Sequence, residues 1–197
     1  MDNIISYESI FRNVMGMMEK RGYVVDNFTN EQIIKTFKNR EFKYSVNKED
    51  LITQIIFIFN IKIKPNGIRD YLNDILENTD PENIDSIVFI LPIKISTSLS
   101  RVMNDQKFKE LNIQFFSSKE LIIDITQHSL NPLFNKIEKD EINDLIKKYK
   151  IDNKTMLPIM LSSDPISRIY NFKPGDICKI TRKSPTNLKC ISYRLIK

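Results

Sequence analysis

The sequence predicts a mixed chain, an α/β N-terminal part followed by a smaller α+β C-terminal part. Two patterns lead to this. Between Leu51 and Ile125 the hydrophobic periodicity runs strand, helix, strand, helix, strand, the order that builds a sheet with parallel pairs. After His128 the pattern restarts with one amphipathic helix, a second short helix and two strands joined by a loop. At 197 residues the chain is long enough for one large or two small domains, and the expected division is 1–126 and 127–197.

The elements follow in order. Residues 6–22 read as a helix: Ser6 suits the N-cap, Phe11, Met15 and Met18 share one face, and Gly22 suits the left-handed position after the end. Thr29 and Gln32 form a capping box before Ile33, Ile34 and Phe37. Leu51–Ile63 reads as a strand, covered on both faces at first and wet on one face at its end. Pro65-Asn66-Gly67 reads as a turn before a helix carrying Ile68, Leu72, Ile75 and Leu76. Ile87–Leu91 is a strand, residues 98–109 a short helix, and Ile113–Phe116 and Leu121–Ile125 two more strands.

Beyond His128, the positions of Ile142, Leu145, Ile146 and Tyr149 trace one helical stripe. Asp164-Pro165 starts a helix, since Asp caps and Pro lacks only an N–H that would have had no partner. Lys173-Pro174-Gly175-Asp176 is a turn. Ile177–Arg182 and Lys189–Ile196 form a hairpin around Lys183–Leu188.

Composition narrows the classes. The chain is 41% apolar and 28% charged, as globular proteins are, and no apolar run approaches the ~18 residues of a membrane span. The start, Met1-Asp2-Asn3, lacks the basic and apolar regions of a signal peptide. Two cysteines suggest no disulfide framework, so an intracellular setting is expected. With one histidine they supply too few ligands for a zinc site without carboxylates, so neither metal nor cofactor is expected. There is no Ala or Trp, and Lys outnumbers Arg 22 to 8, an AT-rich coding signature without structural meaning. Charge is uneven: 14 Lys/Arg against 7 Asp/Glu from His128 onward, and 16 against 18 before it. A basic C-terminal third suits nucleic acid or an acidic protein surface.

The C-terminal residues carry an ordered set of motifs: Ile125-Thr126-Gln127-His128-Ser129-Leu130-Asn131-Pro132, Leu145-Ile146-Lys147-Lys148-Tyr149 and Leu157-Pro158-Ile159. It continues through Ser163-Asp164-Pro165 with Arg168, Lys173-Pro174-Gly175-Asp176, Lys179-Ile180-Thr181-Arg182-Lys183-Ser184 and Ser192-Tyr193-Arg194-Leu195. The set spans roughly residues 125–197 and resembles a known family, the fifth common subunit of eukaryotic RNA polymerases I, II and III, which has a shorter archaeal equivalent. More faintly, Phe11-Arg12 and Lys20-Arg21-Gly22-Tyr23 resemble the start of the family's jaw domain, which only the eukaryotic or viral long form carries. Departures occur at Ser96-Thr97-Ser98-Leu99, where the family has a proline, at Glu138 in place of a capping Ser or Thr, and at Pro185, Leu188 and Lys189.

The resemblance implies a jaw domain with a restriction-nuclease-like sheet over 1–126 and an assembly domain over 127–197. It implies a non-catalytic polymerase subunit that docks on the largest subunit and lies beside downstream double-stranded DNA, with other polymerase subunits as partners, no membrane and no homo-oligomer. The setting would be the nucleus for a cellular protein, and a cytoplasmic factory or virion for a viral one. Docking is expected through His128, Pro132, Asp164, Pro165, Arg168, Lys179, Arg182, Lys183, Ser184, Tyr193 and Arg194; Ser96, Thr97, Ser98 and Arg101 are the candidates for DNA contact.

Two rivals remain from the residues themselves. Lys179, Arg182, Lys183, Lys189, Arg194 and Lys197 crowd one hairpin, which suits a free-standing phosphate-binding module, although no aromatic platform accompanies them. A metal-dependent nuclease needs strand-borne carboxylates with a nearby lysine, and the predicted strands offer only Asp85 and Asp124 near their ends and Gln114 within one. Cys178 and Cys190 fall in predicted strands as small apolar fillers, and neither sits in a catalytic motif with His128.

Overall fold

The computed structural model describes residues 2–36, 41–48, 51–59, 64–103, 105–108, 111–184 and 188–197. The chain divides into two compact units, Met1–Ile123 and Asp124–Lys197, each with its own four-stranded sheet.

In the first unit helix α1 (Asp2–Lys20) leads to α2 (Asn30–Thr36) and the hairpin β1 (Glu41–Lys48) and β2 (Leu51–Ile58). Then come α3 (Pro65–Asn78), β3 (Ile84–Leu91), α4 (Thr97–Met103) and β4 (Ile113–Ser117). The sheet order is β1-β2-β3-β4; β1 pairs antiparallel with β2, whereas β2, β3 and β4 run parallel. The parallel core strands are apolar on both sides because both faces are covered. One face carries Ile56, Ile58, Phe89 and Phe115 against Ile68, Leu72 and Ile75 of α3 and Leu99 and Val102 of α4. Phe89 stacks on Phe115 with centroids 5.2 Å apart. On α1, Phe11 meets Phe57 of β2 at 5.6 Å and Phe28 at 5.0 Å.

Several local expectations hold. Thr29 N–H donates to Gln32 Oε1 at 2.9 Å and Gln32 N–H to Thr29 Oγ1 at 3.4 Å, which closes the capping box. Gly22 follows α1 at φ +88°, a conformation that L side chains rarely adopt. Others need correction. Helix α1 begins at Asp2, so Ser6 lies inside it rather than at its cap. Pro65 is no turn residue: it opens α3, where its fixed φ is already helical. The 98–109 helix is shorter, and a 3₁₀ turn at Gln106–Phe108 follows it. The strand expected at Leu121–Ile125 is absent: Ser118–Leu121 and Ile125–Gln127 are 3₁₀ turns, and the exposed Ile122 and Ile123 meet no sheet. The Asp124 side chain accepts Thr126 N–H at 2.9 Å, a local bond that competes with strand pairing. Strand β1 is an addition to the predicted elements, although Phe42, Tyr44 and Val46 alternate strictly. The expected strand end at Asn60–Ile63, and Phe37 of α2's apolar set, lie outside the described residues.

The second unit contains β5 (Leu133–Lys136), α5 (Lys139–Tyr149), β6 (Ile159–Met160), α6 (Pro165–Ile169), β7 (Ile177–Ser184) and β8 (Leu188–Ile196). The sheet order is β5-β7-β8-β6, with β6 and β8 parallel and the other pairs antiparallel. The short β5 and β6 are its two edges, and both are additions to the predicted strands. Both hairpin strands run further than expected, and residues 185–187 of their loop lie outside the described set.

Helix α5 packs Ile142 and Leu145 with Ile137 and Ile177 on one face of the sheet. On the other face Phe134, Met160, Cys178, Ile180 and Ile196 pack with Phe172. Asp164 Oδ1 accepts Ile166 N–H at 2.9 Å, so the Asp-Pro helix start forms as the sequence indicates. Asp176 Oδ2 accepts Lys173 N–H at 2.8 Å and Gly175 takes φ +92°, completing the turn. Glu138 caps α5 by position but makes no side-chain cap bond.

Candidate interaction surfaces

Strand alternation sorts the hairpin's side chains onto two faces. In the register, Lys179 lies opposite Tyr193, Thr181 opposite Ile191 and Lys183 opposite Lys189. These share the face of α5, because Ile177 opposite Leu195 belongs to the same set and packs on that helix. Arg182 opposite Cys190 and Arg194 opposite Cys178 point to the other face. The basic hairpin is therefore two-sided, with lysines on one face and arginines on the other.

On the α5 face the cover stops short. Leu133 of β5 pairs with Thr181, and Thr181 with Ile191, so these three form one row across the sheet. Leu133 is 68% exposed and Ile191 45% exposed. Beyond the row stand Lys183 and Lys189, both exposed. On its other side Lys179 and Tyr193 are half-buried, and Tyr193 meets Tyr149 of α5 edge-on at 5.8 Å. Sequence reasoning misses this row because Ile191 continues the alternation of Tyr193 and Leu195 and reads as core.

The remaining expected docking residues occupy several places. His128 Nδ1 accepts Leu130 N–H at 3.2 Å and its carbonyl accepts Asn131 N–H at 2.8 Å, a tight turn before the half-buried Pro132. Asp164, Pro165 and Arg168 belong to α6, where the first two begin the helix and Arg168 lies in its last turn. Ser184 ends β7 opposite Leu188. Arg194 Nη1 donates to Ile159 O at 3.4 Å, at the β6 edge. The structure thus brings Lys179, Lys183 and Tyr193 together and leaves His128, α6 and the two hairpin arginines in separate positions within the unit.

The cysteines divide. Cys178 is buried, and burial pushes its thiol up to about 11, against the lowering effects of an Asn135 backbone bond and the Arg194 charge. Cys190 is exposed, which corrects the expectation of two buried fillers: opposite Arg182, it lies beyond Ile180, the last core residue of β7 on that face.

In the first unit Ser96, Thr97 and Ser98 are exposed at the start of α4, and Arg101 is exposed in its last turn. Ser96 Oγ accepts Leu99 N–H at 3.4 Å, a capping contact. Elsewhere in this unit Arg21 is buried and donates to Gln114 Oε1 at 2.7 Å. Burial lowers its guanidinium to about 10, opposed by nearby Tyr23 and Asp85. Tyr23 OH donates to Asp85 Oδ2, and burial is the main cause raising its pKa. Asp85 thus accepts a tyrosine hydrogen bond near a buried cation, and Asp124 caps a 3₁₀ turn. Among the described residues, no group of three or more His, Cys, Asp or Glu is placed to hold a metal ion.

These features define a two-unit mixed α/β chain whose C-terminal unit presents a preformed sheet with an incompletely covered, lysine-flanked face. Residues 123–196 match the family described as RNA polymerase Rpb5, C-terminal domain. A putative DNA-directed RNA polymerase subunit of Invertebrate iridescent virus 6 is 32% identical over 190 residues, covering 92% of this chain and 94% of the relative. The rpabc1 subunit of DNA-directed RNA polymerases I, II and III of Dictyostelium discoideum is 26% identical over 200 residues, 99% of each chain. A DNA-directed RNA polymerase subunit 5-like protein of Arabidopsis thaliana is 26% identical over 206 residues, 98% of this chain and 96% of the relative. The chain belongs to the Rpb5 family of DNA-directed RNA polymerase subunits.

Proposed function

We propose that this chain is a non-catalytic subunit of a multisubunit DNA-directed RNA polymerase, with its C-terminal unit docked on the largest subunit. The observation that carries the docking reading is the row Leu133–Thr181–Ile191, apolar at both ends, exposed and bordered by Lys183 and Lys189. An aliphatic centre with charge at its rim is what a protein interface buries, whereas a phosphate-binding surface needs cations throughout. Of the expected docking residues, Lys179, Lys183 and Tyr193 border this row, and they form the rim of the proposed contact.

The N-terminal unit serves as the jaw domain, its sheet of the restriction-nuclease-like kind, lying beside downstream duplex. The exposed Ser96, Thr97, Ser98 and Arg101 near α4 are the proposed phosphate contacts. Nucleotidyl transfer belongs to other subunits. The site of action is the nucleus in a cellular host and a cytoplasmic factory or virion in a viral one.

The test is affinity purification of the tagged full chain from its native cells or infected host. Recovery of the largest polymerase subunit in stoichiometric amount is expected, and recovery of no polymerase component overturns the reading.

A further inference from the structure

We infer that the outer edge of β6 receives an extended, acidic segment of a partner protein, which adds as a fifth strand to the C-terminal sheet. The hydrogen-bond pattern of this edge carries the inference. Leu195 N–H donates to Pro158 O at 2.9 Å, Lys197 N–H to Met160 O at 3.0 Å and Ser162 N–H to Lys197 O at 2.8 Å. Residues 158, 160 and 162 therefore turn their backbone polar groups toward β8. In an extended strand the residues between them turn theirs the opposite way, so Ile159 and Leu161 aim their N–H groups outward from the sheet. Two outward donors two residues apart are the pattern that an added strand's carbonyls require.

The two outward carbonyls differ from the donors. Leu161 O accepts Asp164 N–H at 3.1 Å and Ile159 O accepts Arg194 Nη1 at 3.4 Å. The second contact carries the guanidinium of a neighbouring strand to the edge, so a positive charge stands where the new strand would lie.

Natural sheets protect exposed edges with charges, proline or bulges. Here Pro158 gives no such protection, because its missing N–H belongs to the inward set. The edge side chains are apolar and open: Ile159 is 47% and Leu161 60% exposed, and Met156, in the 3₁₀ turn Lys154–Met156 that precedes the strand, is 64% exposed. Between Asp152 and Asp164, which stand at the two ends of the segment, there is no acidic residue and one lysine, Lys154, and Lys197 lies alongside. Aliphatic side chains beside the Arg194 guanidinium, which sits on the outward carbonyl of Ile159, select a strand that alternates apolar and acidic residues. The inference deepens the docking proposal by naming a second contact and its geometry, and it rests on that proposal only for the source of the strand.

The experiment uses the full chain, labelled with ¹⁵N, and two synthetic hexapeptides, one alternating glutamate with valine and the other lysine with valine. Saturable shift changes at the Ile159 and Leu161 amides are expected with the glutamate peptide, and at least fivefold weaker binding with the lysine peptide. Leu161→Pro removes one outward donor and no internal bond, so it should abolish binding at an unchanged melting temperature. Leu161→Glu places a like charge at the edge without touching the backbone and should weaken binding at least tenfold, which preserves the test if the proline variant misfolds. Unmoved Ile159 and Leu161 amides, equal binding of both peptides, or full binding by Leu161→Glu overturns the inference. No polymerase is needed, so failure here and failure of co-purification are separate results.

Discussion

Replacing Leu133 and Ile191 together by threonine should weaken association with the polymerase about 30- to 100-fold and leave the free chain folded. Full burial of a Leu or Ile side chain is worth about 1.5–3 kcal/mol. Leu133 retains 68% of its exposure and Ile191 45%, so an interface that covers both gains roughly 2–3 kcal/mol from them. At ~1.4 kcal/mol per tenfold, that gives the stated loss. Threonine is β-branched and suits strands, and exposed substitutions of this kind change stability by about 0.5 kcal/mol or less. The assay is equilibrium binding of the labelled full chain to polymerase lacking this subunit, with thermal unfolding of each variant in parallel. Wild-type affinity in the double variant would refute the claim that this row is buried on docking, as would a loss explained entirely by a lower melting temperature.

Charge reversal separates the two faces: Lys183→Glu with Lys189→Glu should reduce co-purification more than Arg182→Glu, which points to the opposite face, and equal losses would contradict the assignment of the docking face. Thiol titration with a chromogenic disulfide at neutral pH should report one fast-reacting group in the native chain, Cys190, with Cys178 reacting only on unfolding; two fast thiols would contradict the packing. The Cys178 thiol stays neutral to a higher pH when folded than when unfolded, so the stability it contributes is complete below about pH 9 and is lost as pH rises toward 11. Chemical denaturation across that range should show a steeper fall for wild type than for Cys178→Ala, and parallel curves would rule this out. Asp164→Ala removes the side-chain cap on α6 and should lower stability by about 1 kcal/mol, read as a shift in the denaturation midpoint.

Where a local rule and the tertiary context agree, the fold was legible. The Thr29–Gln32 capping box, the Asp164-Pro165 helix start and the Lys173–Asp176 turn are set by bonds between near neighbours, and each formed. The parallel strands β2, β3 and β4 were legible because burial on both faces leaves unbroken apolar runs. Strands β5 and β6 were not, since two to four residues carry no period, and what holds them is pairing with β7 and β8. Residues 121–125 show the opposite failure: an apolar run with strand composition stayed out of the sheet because 3₁₀ turns bracket it and the Asp124 side chain takes up Thr126 N–H.

The basic character of the hairpin was visible in the sequence, but its division into a lysine face and an arginine face depends on which alternate set α5 covers. The exposed row and the outward donors of β6 depend on sheet order, which no spacing in the chain specifies.

Cross-linking of amines on the polymerase purified with this chain in place bears most directly on the central claim. Linkages from Lys179, Lys183 and Lys189 to the largest subunit, with those lysines protected from acetylation in the complex and reactive in the free chain, are expected. Equal reactivity in both states, with no linkage from the C-terminal unit to any polymerase subunit, would contradict docking through this face.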